Sequence, residues 1–394
     1  MANKKSEDTE ELTATPAKAD LKAKAPVDKP VPNGRVASLL AGELIKKLRK
    51  TNGETTLLRA SDTKILNTER LPSGVFDLDY GLGGGFPVGK ISTLYGPKSA
   101  GKTTIYLKTI ALAQRTCSNC YTMWDPVAGK CECGDFREHV CAFLDVEGTF
   151  DAAWAKTLGV NTDSLILDTP EYAEQAIDIG EALLRSGDVD ILVLDSLAFL
   201  VPRKEIENSV AKDMMGVQPR LIGSAIRKYV AAINGVGRDT GRRPTVLFTN
   251  QIRFKLGVMF GNPETTSGGQ APGFASAVEV RVQGLKYEIN EVTKKPLWVD
   301  MKFRVMKNKT FGARMEGEYR IMLSPTTNKA VGDTCDEPSL INWGEKVGLI
   351  TRDKGYNCLG RNFRIKSDMV ENLESDPQFQ RELRDHLLPI LLHL

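Results

Sequence analysis

The sequence lacks any run of apolar residues approaching the about 20 that a membrane-spanning helix needs, and its first residues lack the apolar core of a signal peptide. We therefore expect an intracellular protein with no membrane partner. An excess of charge of one sign is also missing, since the formal net charge is +3 over 394 residues. Binding of a nucleic acid must then depend on local basic patches and not on bulk charge.

Large apolar residues are almost absent from residues 1–34, which are rich in Lys, Ala, Glu, Thr and Pro. Such a stretch cannot bury enough surface to order itself, so we predict a disordered tail. The pattern then changes, and "VASLLAGELIKKLRK" carries apolar residues at helical spacing. We predict a helix and a linker over residues 35–70. This helix either packs on its own domain or docks on a neighbouring subunit.

Strand-like and helix-like segments alternate over residues 71–325. This pattern predicts an α/β core in which helices cover both faces of a mostly parallel sheet. The segments "AVEVRVQGLKYEI", "PLWVDMKFRVMKNK" and "GARMEGEYRIML" are expected to extend that sheet in antiparallel fashion. Residues 326–394 predict a small α+β domain, whose last helix starts at Ser375-Asp376-Pro377.

The stretch "GPKSAGKTT" fits the phosphate-binding pattern G-x-x-x-x-G-K-[ST], with a predicted strand before it and a predicted helix after it. Its glycines let backbone N–H groups turn toward phosphate oxygens at a helix N-terminus. Lys102 is predicted to reach the β- and γ-phosphates and Thr103 to hold Mg²⁺. The predicted nucleotide-binding residues are Gly96, Pro97, Lys98, Ser99, Ala100, Gly101, Lys102, Thr103 and Thr104.

Acidic residues end two neighbouring strand-like runs, where they would face bound phosphates. Asp195 ends "DILVLD" and is predicted to orient Mg²⁺ and its water shell. Glu147 is our candidate for positioning the attacking water, although it could be a solvated loop acid or a helix cap. Trp154 either stacks on adenine or belongs to the core. Gln251, at an expected strand end, could contact the γ-phosphate and lose that contact after hydrolysis.

The segment after Gln251 mixes cations with bulky apolar residues and glycines. We expect the strand to end at Asn250-Gln251 and a loop to follow over residues 252–269. Arg253 and Lys255 could contact phosphates, Leu256 could wedge between bases, and Gly257 would allow close approach of the backbone. A substrate lid or a partner-binding loop would also fit this composition.

Four of the seven cysteines lie in "CSNCYTMWDPVAGKCEC". Four thiolates at this spacing suit a tetrahedral, structural Zn²⁺ held by Cys117, Cys120, Cys131 and Cys133. Redox chemistry and unrelated free thiols are the alternatives. His139 could replace one ligand, but a surface position before a strand is the expectation for it.

Six motifs together resemble the RecA recombinase family in order and approximate spacing. They are "GPKSAGKTT", "CAFLDVEGTFD", "LVLDSLAFLVPRKEIE", "MGVQPRLIGSAIRK", "NQIRFKLGVMFGNPETTSGG" and "VMKNK". The resemblance implies a RecA-like P-loop ATPase core over residues 71–325, with the cysteine segment (117–140) as an insertion. It also implies two DNA-binding loops, at residues 203–216 and 252–269.

The resemblance further assigns roles to individual positions. It implies that Glu147 activates water, that Trp154 stacks on adenine with Asp151 near the amino group, and that Gln251 senses the γ-phosphate. Lys307 and Lys309 would reach the ATP of the adjacent subunit, although Gly273 stands where the family usually has a lysine. The residues that would contact DNA are Met215, Gly216, Leu256, Arg220, Arg227, Gly268 and Gly269.

The function implied is that of an ATP-dependent DNA recombinase. It would form helical filaments on single-stranded DNA and catalyse pairing and strand exchange with homologous duplex DNA. ATP, Mg²⁺ and structural Zn²⁺ are the expected cofactors, and single-stranded-DNA-binding and mediator proteins are candidate partners. The expected location is the cytoplasm of a bacterial cell or of a phage-infected host. A RecA-fold DNA helicase or a RadA-type branch-migration motor is one alternative, and a regulatory or structural ATP-binding filament protein without strand exchange is another.

Overall fold

The structure is a computed structural model, and it describes residues 42–44, 46–48, 50–51, 68–124, 129–207, 216–254, 264–312 and 315–393. The chain divides into two units, residues 1–57 and residues 58–394. In the first unit the described residues are helical, in agreement with the helix predicted from the spacing of apolar residues. The predicted tail, residues 1–34, lies outside the described residues.

The second unit opens with a short antiparallel strand pair and a helix, and strands and helices then alternate along the chain. In chain order the elements are β1 (Arg70–Leu71), α1 (Phe76–Leu82), β2 (Phe86–Pro87), β3 (Ile91–Gly96), α2 (Lys102–Ala113), β4 (Cys141–Asp145), α3 (Ala152–Thr157), β5 (Ile166–Asp168), α4 (Ala173–Ser186), β6 (Ile191–Asp195), α5 (Arg203–Glu207), α6 (Val217–Thr240), β7 (Thr245–Phe254), β8 (Glu264–Thr266), α7 (Ala271–Ala275), β9 (Val278–Ile289), β10 (Pro296–Asn308) and β11 (Glu316–Met322).

A nine-stranded sheet forms the centre of this unit, in the order β11-β10-β9-β3-β7-β6-β4-β5, with β8 paired to β7. The strands from β9 to β5 run parallel to their neighbours, whereas β10 and β11 are antiparallel. The predicted fold class and the predicted antiparallel extension are both confirmed. Strands such as β4 and β6 are buried along their whole length, as a sheet covered on both faces requires.

Helices cover both faces of the sheet. On one face α2 packs over the strands through Ile105, Tyr106 and Ile110. On the other face α4 and α6 pack through Ile177 and Tyr229, among others. The buried Tyr106 hydroxyl accepts a hydrogen bond from the Leu94 backbone N–H and lies 3.1 Å from the Phe248 carbonyl oxygen. Because β3, β4, β6 and β7 run parallel to one another, their carboxyl ends meet at one edge of the sheet.

Strand β7 is longer than the sequence led us to expect. It continues through Phe254 and does not end at Asn250-Gln251, so the prediction of a loop directly after Gln251 was wrong. The reason is a partner strand, because Ile252 pairs with Thr266 and Phe254 pairs with Glu264 in an antiparallel register. Residues 252–254 and 264–266 thus form an antiparallel stem that is continuous with the central sheet.

The C-terminal segment builds a third apolar core of its own. Its elements are α8 (Glu337–Lys346), β12 (Ile350–Thr351), β13 (Tyr356–Cys358), β14 (Arg361–Phe363), α9 (Lys366–Ser375) and α10 (Pro377–His393). Helix α10 starts as predicted, since Asp376 Oδ1 accepts hydrogen bonds from the backbone N–H groups of Gln378 and Phe379. Phe76 of α1 joins this core. The domain boundary at residues 325 and 326 stays a prediction.

Among the described residues, no helix combines the length and the hydropathy that a membrane span requires.

Candidate nucleotide site and nucleic-acid interface

The turn between β3 and α2 has the backbone that a phosphate cradle needs. Strand β3 ends at Gly96, and α2 begins at Lys102. Gly101 lies between them with φ 68° and ψ 15°, in the left-handed region, and a Cβ there would lie 2.9 Å from Met301 Cε. The left-handed backbone conformation therefore favours glycine at this position. The N-terminus of α2 points its free N–H groups into the same turn.

A cavity of about 420 Å³ opens in front of this turn. Its lining combines polar side chains of the turn and the strand ends with apolar side chains of β9 to β11, as a nucleotide with a triphosphate and a base would require. The lining residues are Lys98, Ser99, Ala100, Gly101, Lys102, Thr103, Thr104, Glu147, Thr149, Trp154, Asp195, Gln251, Tyr287, Val299, Met301, Ile321 and Leu323. Gly96 and Pro97 are not among them, although the carbonyl oxygen of Pro97 accepts a 2.7 Å hydrogen bond from Lys102 Nζ.

Lys102, Thr103 and Asp195 form the polar centre of the cavity. The Lys102 side chain is buried, and burial lowers its pKa while the nearby Asp195 and Glu147 oppose that shift. Asp195 is buried as well, and burial raises its pKa. Its carboxylate accepts hydrogen bonds from the Thr103 and Thr249 hydroxyls. A hydroxyl and a carboxylate side by side are the hard oxygen donors that Mg²⁺ prefers, so these residues fit the predicted metal.

Glu147 lies beside Asp195 at the neighbouring strand end. Its backbone N–H donates a 3.1 Å hydrogen bond to the Asp195 carbonyl oxygen. Partial burial is the main reason that the pKa of Glu147 is raised, and the Asp195 charge adds to it. Gln251 reaches the same cavity from β7, in register with Gly96. The side chains that would act on the γ-phosphate and on water thus converge on one space.

Trp154 lines the cavity from α3 and is only partly buried. Its indole Nε1 lies 3.3 Å from Thr104 Oγ1, at the first turn of α2. Asp151 does not line the cavity. Its Oδ1 atom caps α3 by accepting hydrogen bonds from the backbone N–H groups of Ala153 and Trp154, at 2.8 and 3.0 Å. That cap fixes the first turn of the helix that carries the indole.

Lys307 and Lys309 are not brought to this cavity. Lys307 Nζ donates to the carbonyl oxygen of Gly273, and Lys309 Nζ lies 3.2 Å from that of Phe274. Glu279 lies directly across from Lys307 in the β9–β10 ladder. A Cβ at Gly273 would lie 3.2 Å from Glu279 Oε1. A side chain at this position would therefore press against the Glu279 carboxylate, and glycine avoids that contact.

Four of the predicted DNA-contacting residues come together around the start of α6 and the turn after β8. Arg220, Arg227, Gly268 and Gly269 line one open cavity of about 330 Å³. Both arginines are exposed, and among the described residues no carboxylate lies within salt-bridge distance of either. Gly268 has φ 88°, and a Cβ there would lie 2.8 Å from Ile222 Cγ2. Two guanidinium groups without a carboxylate partner among the described residues, beside the exposed Gly269, suit a polyanion.

The remaining DNA candidates are placed only in part. Met215, Lys255, Leu256 and Gly257 lie outside the described residues, so their predicted contacts stay predictions. Two candidates are described: Gly216 precedes α6 with φ 85°, and Arg253 is exposed near the end of β7.

The four cysteines of the predicted zinc site lie together. Their Sγ atoms are all within 4.8 Å of one another, with 3.7 Å between Cys117 and Cys133 and 3.3 Å between Cys131 and Cys133. Zinc–sulfur bonds of about 2.3 Å in a tetrahedron place sulfurs about 3.8 Å apart. The donor set therefore fits a structural Zn²⁺. The turn at residues 125–128 lies outside the described residues.

The sequence led us to expect His139 at the surface, and this prediction was wrong. It is 3% exposed, and its Nδ1 lies 3.1 and 3.0 Å from the carbonyl oxygens of Ala113 and Thr116. The ring packs edge-on against Tyr121, so the base of the cysteine segment covers it. His139 thus lies buried against this segment. Among the described residues the cluster of candidate metal ligands consists of the four cysteines and does not include His139.

Sequence reasoning missed two parts of the nucleotide cavity. Thr249 holds Asp195 by a hydrogen bond, and strands β9 to β11 supply its apolar wall. The wall residues are Tyr287, Val299, Met301, Ile321 and Leu323. They carry no motif, and only sheet pairing brings them next to the phosphate-binding turn.

A phosphate-binding turn, a buried carboxylate at the next strand end and an acid beside it define a P-loop ATPase. Comparison with known proteins narrows the class. The family model described as RecA N-terminal domain matches residues 40–125 and 131–327. The Protein RecA of Nautilia profundicola is 36% identical over 350 residues, covering 87% of this chain and 89% of that protein.

Other relatives are similar over comparable lengths. The Protein RecA of Campylobacter fetus is 37% identical over 314 residues, covering 79% of this chain and 81% of that protein. That of Haemophilus ducreyi is 38% identical over 354 residues, covering 87% and 85%. This chain therefore belongs to the RecA family. It is an ATP-dependent DNA recombinase and a DNA-dependent ATPase, of a family that binds DNA and forms filaments.

Proposed function

We propose that the nucleotide state of the cavity sets the grip of the β7–β8 hairpin on single-stranded DNA. On this basis the protein pairs that strand with homologous duplex DNA and exchanges strands. One observation supports the proposal most strongly. Strand β7 is continuous from Gln251, which lines the nucleotide cavity, to Phe254, which pairs with Glu264 in the hairpin stem. A shift of Gln251 toward a γ-phosphate would be carried into the stem without an intervening flexible joint.

The hydrolytic step is assigned to residues that already converge. Water attacks the γ-phosphorus, the bond to the β–γ bridging oxygen breaks, and ADP and phosphate leave. Glu147 orients that water and takes up its proton, a role that its raised pKa favours. Lys102 stabilises the charge that builds up on the transferred group and on the leaving oxygen. Thr103 and Asp195 would hold Mg²⁺, which neutralises phosphate charge when bound.

Binding of the base is assigned to the apolar residues of the cavity lining. Trp154 would stack on adenine, facing the apolar wall from Val299 and Leu323. Asp151 supports this role indirectly, because its cap fixes the first turn of the helix that carries the indole.

Filament assembly is assigned to two lysines that lie outside the nucleotide cavity. Lys307 lies on β10 and Lys309 follows its last residue, and both side chains bond carbonyl oxygens of α7. An ATP on a neighbouring protomer could be clamped between two copies at this position. A head-to-tail contact of this kind does not close on itself and produces a helical filament. We expect single-stranded-DNA-binding and mediator proteins as partners, and action in the cytoplasm of a bacterial cell or phage-infected host.

ATP turnover with and without single-stranded DNA is the first test of this function. We expect turnover to be low without DNA and stimulated by it, and electron microscopy with a slowly hydrolysed ATP analogue to show helical filaments on the strand. A labelled-duplex assay should then show strand exchange. Closed rings with duplex unwinding would instead indicate a helicase or branch-migration motor and would overturn the proposal.

Zinc is proposed as a structural ion of the cysteine segment. Metal analysis should find about one Zn²⁺ per chain, because the four thiolates supply the complete tetrahedral ligand set of one ion. The ion would then have no open position for catalysis. Replacing Cys117 and Cys131 by Ser should abolish zinc binding and lower thermal stability, since the segment packs on the core through Tyr121 and His139. Ser in place of Cys141, a buried thiol of β4 outside the cluster, is the matched control and should retain the zinc. A metal-free preparation with full stability would sink the assignment.

A further inference from the structure

One face of β9, the strand next to β3, carries a row of polar side chains. Val278, Val280 and Val282 are buried, whereas Glu279, Arg281 and Gln283 alternate with them on the partly exposed face. This is the alternation expected of a strand with one covered face. Strand β9 pairs with β3, the strand that leads into the phosphate-binding turn, and Arg281 lies directly across from Tyr95.

The Arg281 side chain extends from β9 and forms an ion pair with Glu264 of the β7–β8 hairpin. Its Nε and Nη2 atoms bond the two carboxylate oxygens of Glu264, at 3.0 and 2.8 Å, and its Nη1 bonds Gln283 Oε1 at 2.8 Å. The two charged side chains are only 25% and 24% exposed. A two-pronged ion pair with this little solvent is more rigid and less screened than an ordinary surface pair.

The position of Glu264 makes this contact a bridge. Glu264 is the first residue of β8, and among the described strands β8 pairs with β7 alone. Strand β3 stands between β7 and β9 and ends at Gly96, in register with Gln251. Arg281 and Glu264 therefore connect β9 to the hairpin across the end of the strand that carries the phosphate-binding turn.

We propose that Arg281 is a positioning residue that fixes β8, the second strand of the β7–β8 hairpin, to the sheet, so that the hairpin moves as one body with Gln251. This rests on the function proposed above for the hairpin. With the bridge, both strands of the stem are attached to the sheet, β8 through β9 and β7 through its own continuity. Without it, β7 is the one described strand that holds β8 by backbone pairing, and a shift at Gln251 is lost in bending of the stem.

The test measures the affinity for a fluorescent oligonucleotide with an ATP analogue and with ADP. Arg281→Gln removes the charge and one prong of the pair while keeping a polar side chain. We expect the ratio of the two dissociation constants to fall by at least about fivefold, the lower end of ordinary coupling between sites. In the absence of DNA the affinity for the ATP analogue should not change, since Arg281 does not line the nucleotide cavity.

Two further variants separate coupling from loss of structure. The double exchange Arg281→Glu with Glu264→Arg should restore part of the ratio, because it rebuilds the pair in reverse. Arg320→Gln is the control, since Arg320 makes a similar pair with Asp300 between β10 and β11 and should leave the ratio unchanged. An unchanged ratio in Arg281→Gln would overturn the inference, as would an equal loss of affinity in both nucleotide states. A wild-type protein without nucleotide-dependent affinity would instead refute the function proposed for the hairpin.

Discussion

Glu147→Gln is expected to keep ATP binding and to lose turnover by a factor of about 10²–10⁴, the usual contribution of a general base. The amide has the size of the carboxylate and can still contact water, but it cannot accept the proton that the attacking water must lose. Glu147 is suited to the task because burial and the neighbouring Asp195 raise its pKa. DNA-stimulated phosphate release and binding of a fluorescent ATP analogue, measured on the same sample, check both halves of this result.

The nucleotide-bound assembly separates a catalytic role from a structural one. A variant that binds ATP without hydrolysing it should form filaments on single-stranded DNA that outlast those of the wild type. Glu371→Gln, an exposed acid on α9, is the control and should hydrolyse ATP at the wild-type rate. Turnover retained by Glu147→Gln would show that another group positions the water.

Lys102→Ala is expected to abolish ATP-dependent filament formation. The Lys102 ammonium is buried in the phosphate-binding turn, so its loss leaves phosphate charge in a poorly solvated place. Truncation of one partner of a buried charge pair costs about 2–5 kcal/mol, which is about 30-fold or more in the dissociation constant for ATP. Nucleotide binding by calorimetry and assembly by light scattering with single-stranded DNA are the measurements.

The same change also tests whether DNA grip depends on nucleotide. Lys102→Ala should bind oligonucleotides equally with and without the ATP analogue, at the level that the wild type shows with ADP. Lys366→Ala, at an exposed position on α9, removes an equal charge and should leave nucleotide dependence intact. Unchanged assembly of Lys102→Ala, with thermal stability preserved in both variants, would count against the site.

The candidate sites were predictable where the chemistry is contiguous in the chain. The phosphate-binding turn needs a glycine, a lysine and a hydroxyl within a few residues of one another, and the helix that follows it is local structure. The four cysteines are likewise confined to a short segment. In both cases backbone geometry between near neighbours brings the groups together, and the structure shows them converging.

Prediction failed where a residue's environment is made by distant strands. The extension of β7 to Phe254 depends on pairing with β8, across a segment outside the described residues. His139 is buried because Tyr121 and the end of α2 cover it, and nothing in its local sequence indicates that cover.

The sequence by itself determined the phosphate-binding chemistry, the thiol cluster and the alternation of strands and helices, because each follows from spacing along the chain. Tertiary structure alone decided which strands wall the base end of the cavity, that Thr249 holds Asp195, and that Arg281 bridges to Glu264. The physical reason is that hydrogen bonds between strands fix neighbours far apart in the chain, and a side chain's partners depend on that pairing.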